Sequence, residues 1–169
     1  AEVQLRIVSY NILVDFEGHS WKQRGPTVAR ILKSKSADLI GIQEASELQL
    51  AVLQQQLPDH DCFVGDRSDG HRNDQRWYEF VPIFYRRDRF EFLDKSSLWL
   101  SDDPSRPGST FKDSKFHGRC LTWVRLKDRA SGRVLVMVNT HAYQVIDTKT
   151  EAGTQPSDHR AVASDVVWR

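Results

Sequence analysis

Leu39 to Ile42 is a short apolar run that stops abruptly on an amide and a carboxylate, Gln43 and Glu44. A run this short, without polar alternation, predicts a strand covered on both faces. Such a strand must lie inside a layered fold rather than on a surface. Its end also sets Glu44 on a rigid element, where a carboxylate can face a cleft as a metal ligand. The competing role is modest: an acidic residue just before a helix can simply serve that helix's N-terminal dipole.

The segments on either side predict a strand–helix–strand–helix opening. Leu5, Ile7 and Ser9 alternate with Arg6, Val8 and Tyr10, which predicts a strand over about residues 4–12 with Asn11 at its end. After a loop holding Gly18, His19 and Trp21, Gly25-Pro26 opens a segment with Val28, Ile31 and Leu32 at helical spacing. Ser46 and Gln49 form a capping box ahead of Leu50, Leu53 and Leu57, and Pro58 stops that helix. Beyond it the pattern is mostly β, with strands expected over 61–65, 80–87, 90–100, 119–127, 133–141 and 161–168. The polar stretches 66–78 and 101–117 read as loops on that scaffold.

The 169 residues are 39% apolar, enough for one domain with a substantial core. Twenty-four Lys and Arg against 23 Asp and Glu leave no global field toward nucleic acid or an anionic membrane, so an anionic substrate has to be gripped locally. No aliphatic run is long enough to span a bilayer. The expectation is a soluble protein of open localisation; a first residue of alanine fits a processed, secreted protein as well as a trimmed chain. Cys62 and Cys120 are too few for a zinc site or a disulfide framework, although a single bridge between them stays open.

Several strand ends carry chemistry. Asn11, Glu44, Asn139-Thr140-His141 and Ser157-Asp158-His159 each end or follow an expected strand, and in a parallel or mixed sheet such ends can converge on one edge. Taken in order, Val8-Ser9-Tyr10-Asn11-Ile12, Gly41-Ile42-Gln43-Glu44, Val81-Pro82-Ile83-Phe84-Tyr85-Arg86, Gly118-Arg119-Cys120-Leu121-Thr122-Trp123, Val138-Asn139-Thr140-His141 and Pro156-Ser157-Asp158-His159 resemble the endonuclease/exonuclease/phosphatase superfamily, the deoxyribonuclease I-like phosphoesterases. The likeness is strongest to bacterial members that share features with deadenylases.

That resemblance implies an α/β fold, a two-sheet mixed β-sandwich flanked by helices, with the final strand beside the first. It implies a divalent-metal-dependent phosphoesterase in which Glu44 binds Mg²⁺ or Mn²⁺ and Asn11 orients water or phosphate. His159, held cationic by Asp158, would donate to a phosphate oxygen, with His141 across the site. Arg119 offers a fork of donors to phosphate or else makes a surface ion pair; Asn139 either touches substrate or buttresses the site. Glu79 and Tyr85 share the resemblance but fall outside the expected site, Tyr85 as a core residue. The implied substrates are phosphate esters: nucleotides, oligonucleotides or lipid phosphates.

One part is missing. The superfamily carries an Asp-x-Asn motif between the Asn-Thr-His strand and the Ser-Asp-His loop, yet the asparagines here are Asn11, Asn73 and Asn139, none two residues after an aspartate. The expectation is an internal deletion joined near Ala142-Tyr143, with impaired activity or none. Asp147 is the nearest substitute carboxylate by sequence. A sheet left short would expose an edge and invite self-association.

Overall fold

A computed structural model describes residues 3–15, 20–68, 79–112, 118–141 and 162–168, the last of these as backbone. The element order is β1 (Val3–Asn11), α1 (Trp21–Lys35), β2 (Leu39–Gln43), α2 (Glu47–Gln56), β3 (His60–Phe63), β4 (Ile83–Arg86), β5 (Phe90–Trp99), β6 (Cys120–Asp128), β7 (Val134–Thr140) and β8 (Val162–Trp168). They build a five-stranded sheet in the order β3-β4-β2-β1-β8 and a three-stranded sheet in the order β5-β6-β7. The expected α/β two-sheet sandwich is therefore the fold. β1 runs parallel to β2 and antiparallel to β8, so the last strand lies beside the first.

β2 is buried along its whole length, as an unbroken apolar run requires. One side of its sheet carries Val8, Ile40, Ile42 and Phe84 against α1 and α2 residues such as Val28, Leu32, Leu50 and Leu53. The other side carries Leu5, Leu39, Ile83 and Tyr85 against Phe90, Val124 and Leu126 of the second sheet. The sandwich interior and the helix-covered face are thus two cores sharing one sheet.

Where β2 meets β7 the sheets come unusually close. A Cβ added to Gly41 would lie 2.8 Å from Asn139 Oδ1, so only glycine admits the asparagine there. Asn139 in return donates to the carbonyls of Ile42 (2.7 Å) and Pro82 (2.9 Å) and accepts from Gln43 Nε2 (2.6 Å), welding both sheets by side-chain amides.

At the opposite end of β2, Arg89 pairs with Asp38 at 2.6 Å and Asp128 at 3.0 Å and donates to the Gln4 carbonyl at 2.8 Å. This clamp is nearly buried and closed.

Some boundaries differ from expectation. α1 begins at Trp21, with Pro26 inside it, rather than at Gly25-Pro26. Asp15 accepts from the Trp21 N–H and Arg24 donates to the Ile12 and Leu13 carbonyls, so tertiary contacts anchor the first turn and override the proline signal. α2 ends at Gln56, leaving Leu57 as its cap; its capping box on Ser46 and Gln49 is formed as expected. Cys62 and Cys120 are unbonded thiols, and burial pushes both up to about 12. No helix among the described residues is long and apolar enough to cross a membrane.

Candidate functional site

Three backbone pairings and one side-chain hydrogen bond bring the polar strand ends together. The parallel register pairs Asn11 with Gln43, setting the end of β1 beside the residue before Glu44. An isolated antiparallel bridge between Ala45 and Phe80 joins the two segments, with Glu44 and Glu79 flanking it on either side and their carboxylates within reach of one another. Leu121 pairs with Thr140, so Arg119 and His141 leave the second sheet at the same end. The Gln43–Asn139 bond holds that end against β2.

Glu44 sits at φ +59°, a left-handed conformation that costs a non-glycine residue about 1–2 kcal/mol. The twist turns its carboxylate out of the strand, where Asn11 Nδ2 donates to Oε1 at 2.9 Å and the Val14 N–H to Oε2 at 3.2 Å. Asn11 Oδ1 accepts from the Leu13 N–H at 3.0 Å, so both ends of this amide serve to aim Glu44.

Glu79, only 6% exposed, pairs with Arg119 and accepts from His141 Nδ1 at 3.0 and 3.1 Å. Its backbone is pinned in both directions by Ser68. Arg119 Nη1 also lies 3.2 Å from His141 Nδ1. A nitrogen cannot both donate to Glu79 and accept from Arg119; the buried carboxylate is the stronger partner, which assigns the proton to Nδ1 and leaves the Nε2 lone pair open. Nε2 faces Glu44 Oε1 at 3.7 Å, too long for a hydrogen bond. Burial, aided by the Arg119 charge and opposed by Glu44, holds the His141 imidazole below its ordinary range and hence neutral at pH 7.

The donor set fits a divalent cation. Ligand atoms of Glu44, Glu79 and His141 lie within 4.8 Å of one another, and carboxylate oxygens with a neutral imidazole nitrogen are common ligands of such ions.

Of the residues expected from sequence, Asn11, Glu44, Arg119 and His141 converge here. Asn139, 5% exposed, has its amide committed to the interior, the geometry of a buttress. Arg119 is not a surface pair but is engaged with Glu79. Asp158, His159 and Asp147 lie outside the described residues. Glu79, which shares the family resemblance but was expected outside the site, joins the cluster through Arg119 and His141. Tyr85 lies in the core between the sheets.

No family model matches the chain, and no curated protein matches it. Solved structures do. An endonuclease/exonuclease/phosphatase from Bacteroides vulgatus is 32% identical with a TM-score of 0.73, covering 82% of this chain and 52% of its own. A mannosyl-6-phosphatase from Bacteroides thetaiotaomicron is 28% identical (TM-score 0.72), covering 85% of this chain and 53% of its own. The human Nocturnin catalytic domain, at 16% identity and a TM-score of 0.65, shares the fold. The chain spans about half the length of these relatives. With six ordered motifs, the sandwich topology and these likenesses in agreement, the chain belongs to the endonuclease/exonuclease/phosphatase superfamily.

Proposed function

We propose that the cluster at the ends of β1, β2 and β7 is a phosphoric ester hydrolase site that depends on Mg²⁺ or Mn²⁺ and works below the rate of a complete family member. The observation that carries this is the aim of Glu44: a strained backbone and two hydrogen bonds direct one carboxylate at a neutral histidine it does not touch. A divalent cation bound there would offset phosphate charge and polarise a phosphoryl oxygen. The chain's own groups supply the rest. Arg119 brings a cationic fork within the same cluster, Asn11 keeps Glu44 in register, and Asp158-His159 is proposed to donate to the phosphate.

The reduced rate follows from the missing Asp-x-Asn motif. A positioned general base contributes about 10²- to 10⁴-fold. The proposed architecture is one domain over residues 1–169 with an internal deletion near Ala142-Tyr143. Nucleotides, short oligonucleotides and lipid or sugar phosphates are the proposed substrate class; the near-neutral charge of +1 disfavours long nucleic acid.

A second reading has its own support. Arg119 is already neutralised by Glu79, so the cluster also suits a catalytically silent scaffold with weak cation binding. On either reading β7, with Val134, Val136 and Val138 each more than half exposed, is the proposed edge for self-association.

Hydrolysis of activated aryl phosphate mono- and diesters with Mg²⁺ or Mn²⁺ separates the two. Turnover abolished by chelator, Glu44→Gln and His159→Ala supports the hydrolase. Turnover indifferent to all three places it outside this cluster, and none at all leaves the scaffold.

A further inference from the structure

We propose that the outer groove between α1 and α2 is a docking site for an acidic amphipathic helix of a partner protein. The groove lies on the helix layer, shares no residue with the cluster at the strand ends, and is independent of any activity there.

The charge of this layer is one-sided. α1 carries Lys22, Arg24, Arg30, Lys33 and Lys35 and no acidic residue, and α2 carries Glu47 as its one charge. The chain as a whole is almost balanced at +1, so the helix layer holds a local positive excess. Lys22, Pro26, Arg30 and Lys33 recur at helical spacing and share one face of α1. Lys22 and Arg30 stand about 12 Å apart along its axis. A small anion is best held by cations gathered at one point, whereas cations set out in a row suit a partner whose acids recur at the same pitch, which a helix supplies.

The shape agrees with the charge. Between the helices runs a groove of about 470 Å³ whose buried lining is Trp21, Gly25 and Ala29. The Trp21 ring folds against Gly25, where a Cβ would come within 2.9 Å of it. Val52 forms the α2 side, and Leu48, one turn earlier on the same face, is 74% exposed. Lys33 Nζ donates to Gln56 Oε1 at 2.7 Å, which ties the C-terminal ends of the two helices and closes the groove there. A basic wall opposite an apolar wall, over an apolar floor, complements a helix with acids along one flank and aliphatic residues along the next. An anionic membrane would meet the same cations, but a flat surface engages protruding side chains, and Trp21 and Ala29 are recessed. A nucleic acid backbone would use the cations and leave the apolar wall empty.

The test uses the intact chain and a synthetic, fluorescein-labelled helix of about 16 residues, with Glu on every fourth position of one flank and Leu on the next. Beside it run a scrambled peptide of identical composition and a version with Lys in place of each Glu. Binding is followed by fluorescence anisotropy, and amide shifts of the isotope-labelled protein locate it. The expected result is saturable binding of the acidic helix alone, weakened by salt, with shifts confined to α1 and α2. Joint Lys22→Glu and Arg30→Glu substitution, at two exposed positions, should weaken it about tenfold or more and let the Lys version bind instead. That gain is a readout that a misfolded variant cannot give. Val52→Gln, which removes apolar surface without adding charge, should weaken the acidic helix at every salt concentration. Equal binding of the scrambled peptide, affinity unchanged by the charge reversal, shifts elsewhere on the molecule, or no saturable binding up to about 1 mM overturns the proposal. Flotation with phosphatidylglycerol vesicles in the absence of peptide binding overturns it too and assigns the face to a membrane surface.

Discussion

Each end of the sandwich holds an arginine with two carboxylates nearby, and the two clusters have opposite character. At one end Arg89 bridges Asp38 and Asp128; the Asp38 oxygen it meets also accepts from the Arg6 N–H, and the other Asp128 oxygen accepts from the Ala130 and Ser131 N–H groups. Both aspartates share the one guanidinium, so the cluster is a clamp. At the other end Arg119 is consumed by Glu79, and Glu44 faces a neutral imidazole across 3.7 Å. The same residue types here leave two acceptors facing each other, the arrangement on which the proposed cation site rests. Two carboxylates sharing one arginine mark structure, and a carboxylate that shares none with its neighbour marks a candidate site.

The comparison predicts where substitutions hurt. Arg89→Ala should cost the most, about 3–5 kcal/mol, because two nearly buried aspartates lose their counter-charge. Urea unfolding checks it, and a loss below about 1 kcal/mol would mean the clamp is solvated like an ordinary surface pair. Asn139→Ala comes next, at about 1–3 kcal/mol for each carbonyl or amide stranded by its removal, and it should loosen ion binding by shifting β7 from β2. Full stability with unchanged ion binding would refute the buttress.

Acid should separate the two ends, with a smaller effect. His141 is held below its ordinary value of 6.5, so the unfolded chain takes up the proton first. Its contribution is complete above about 6.5 and is lost as pH falls from there through the depressed folded value. Burial pushes Asp128 up, but the Ser131 and Ala130 N–H groups and Arg89 together hold it below 3.8. The clamp therefore holds above that value and fails as pH falls through the lower folded one. Stability curves for the unmodified chain and His141→Gln should diverge between pH 7 and 5 and run parallel above; divergence only below 4 would contradict the neutral imidazole.

The smallest effect is expected at Val136→Lys. With its side chain 55% exposed, stability should change by no more than about 0.5 kcal/mol, while any concentration-dependent association seen by sedimentation is lost. A core-sized loss of stability would show that another part of the molecule covers this face.

β2 and β7 show how much of this was legible beforehand. Both are short apolar runs, and periodicity finds both strands. Yet Leu39–Gln43 is buried throughout, whereas Val134, Val136 and Val138 of β7 are bare among the described residues. Local pattern reports which residues can pair and where a strand ends, since those depend on side-chain alternation and turn chemistry. It cannot report what lies on the other side of a strand. Glu79 was set outside the expected site for the same reason: a carboxylate at a loop end is indistinguishable from a solvated one until an arginine and a histidine from distant strands enclose it.

By itself, then, the amino-acid order determined the strand and helix periods, the capping box at Ser46, the near-neutral charge balance and the absence of an Asp-x-Asn pair. Those are properties of neighbours along the chain. The tertiary structure alone decided that Asn139 faces inward through the space Gly41 leaves, that Glu79 claims Arg119, and that His141 turns its unprotonated nitrogen to Glu44. Each of these joins residues that are far apart in sequence, and electrostatics acts through space, so the chemistry exists only once the two sheets have packed.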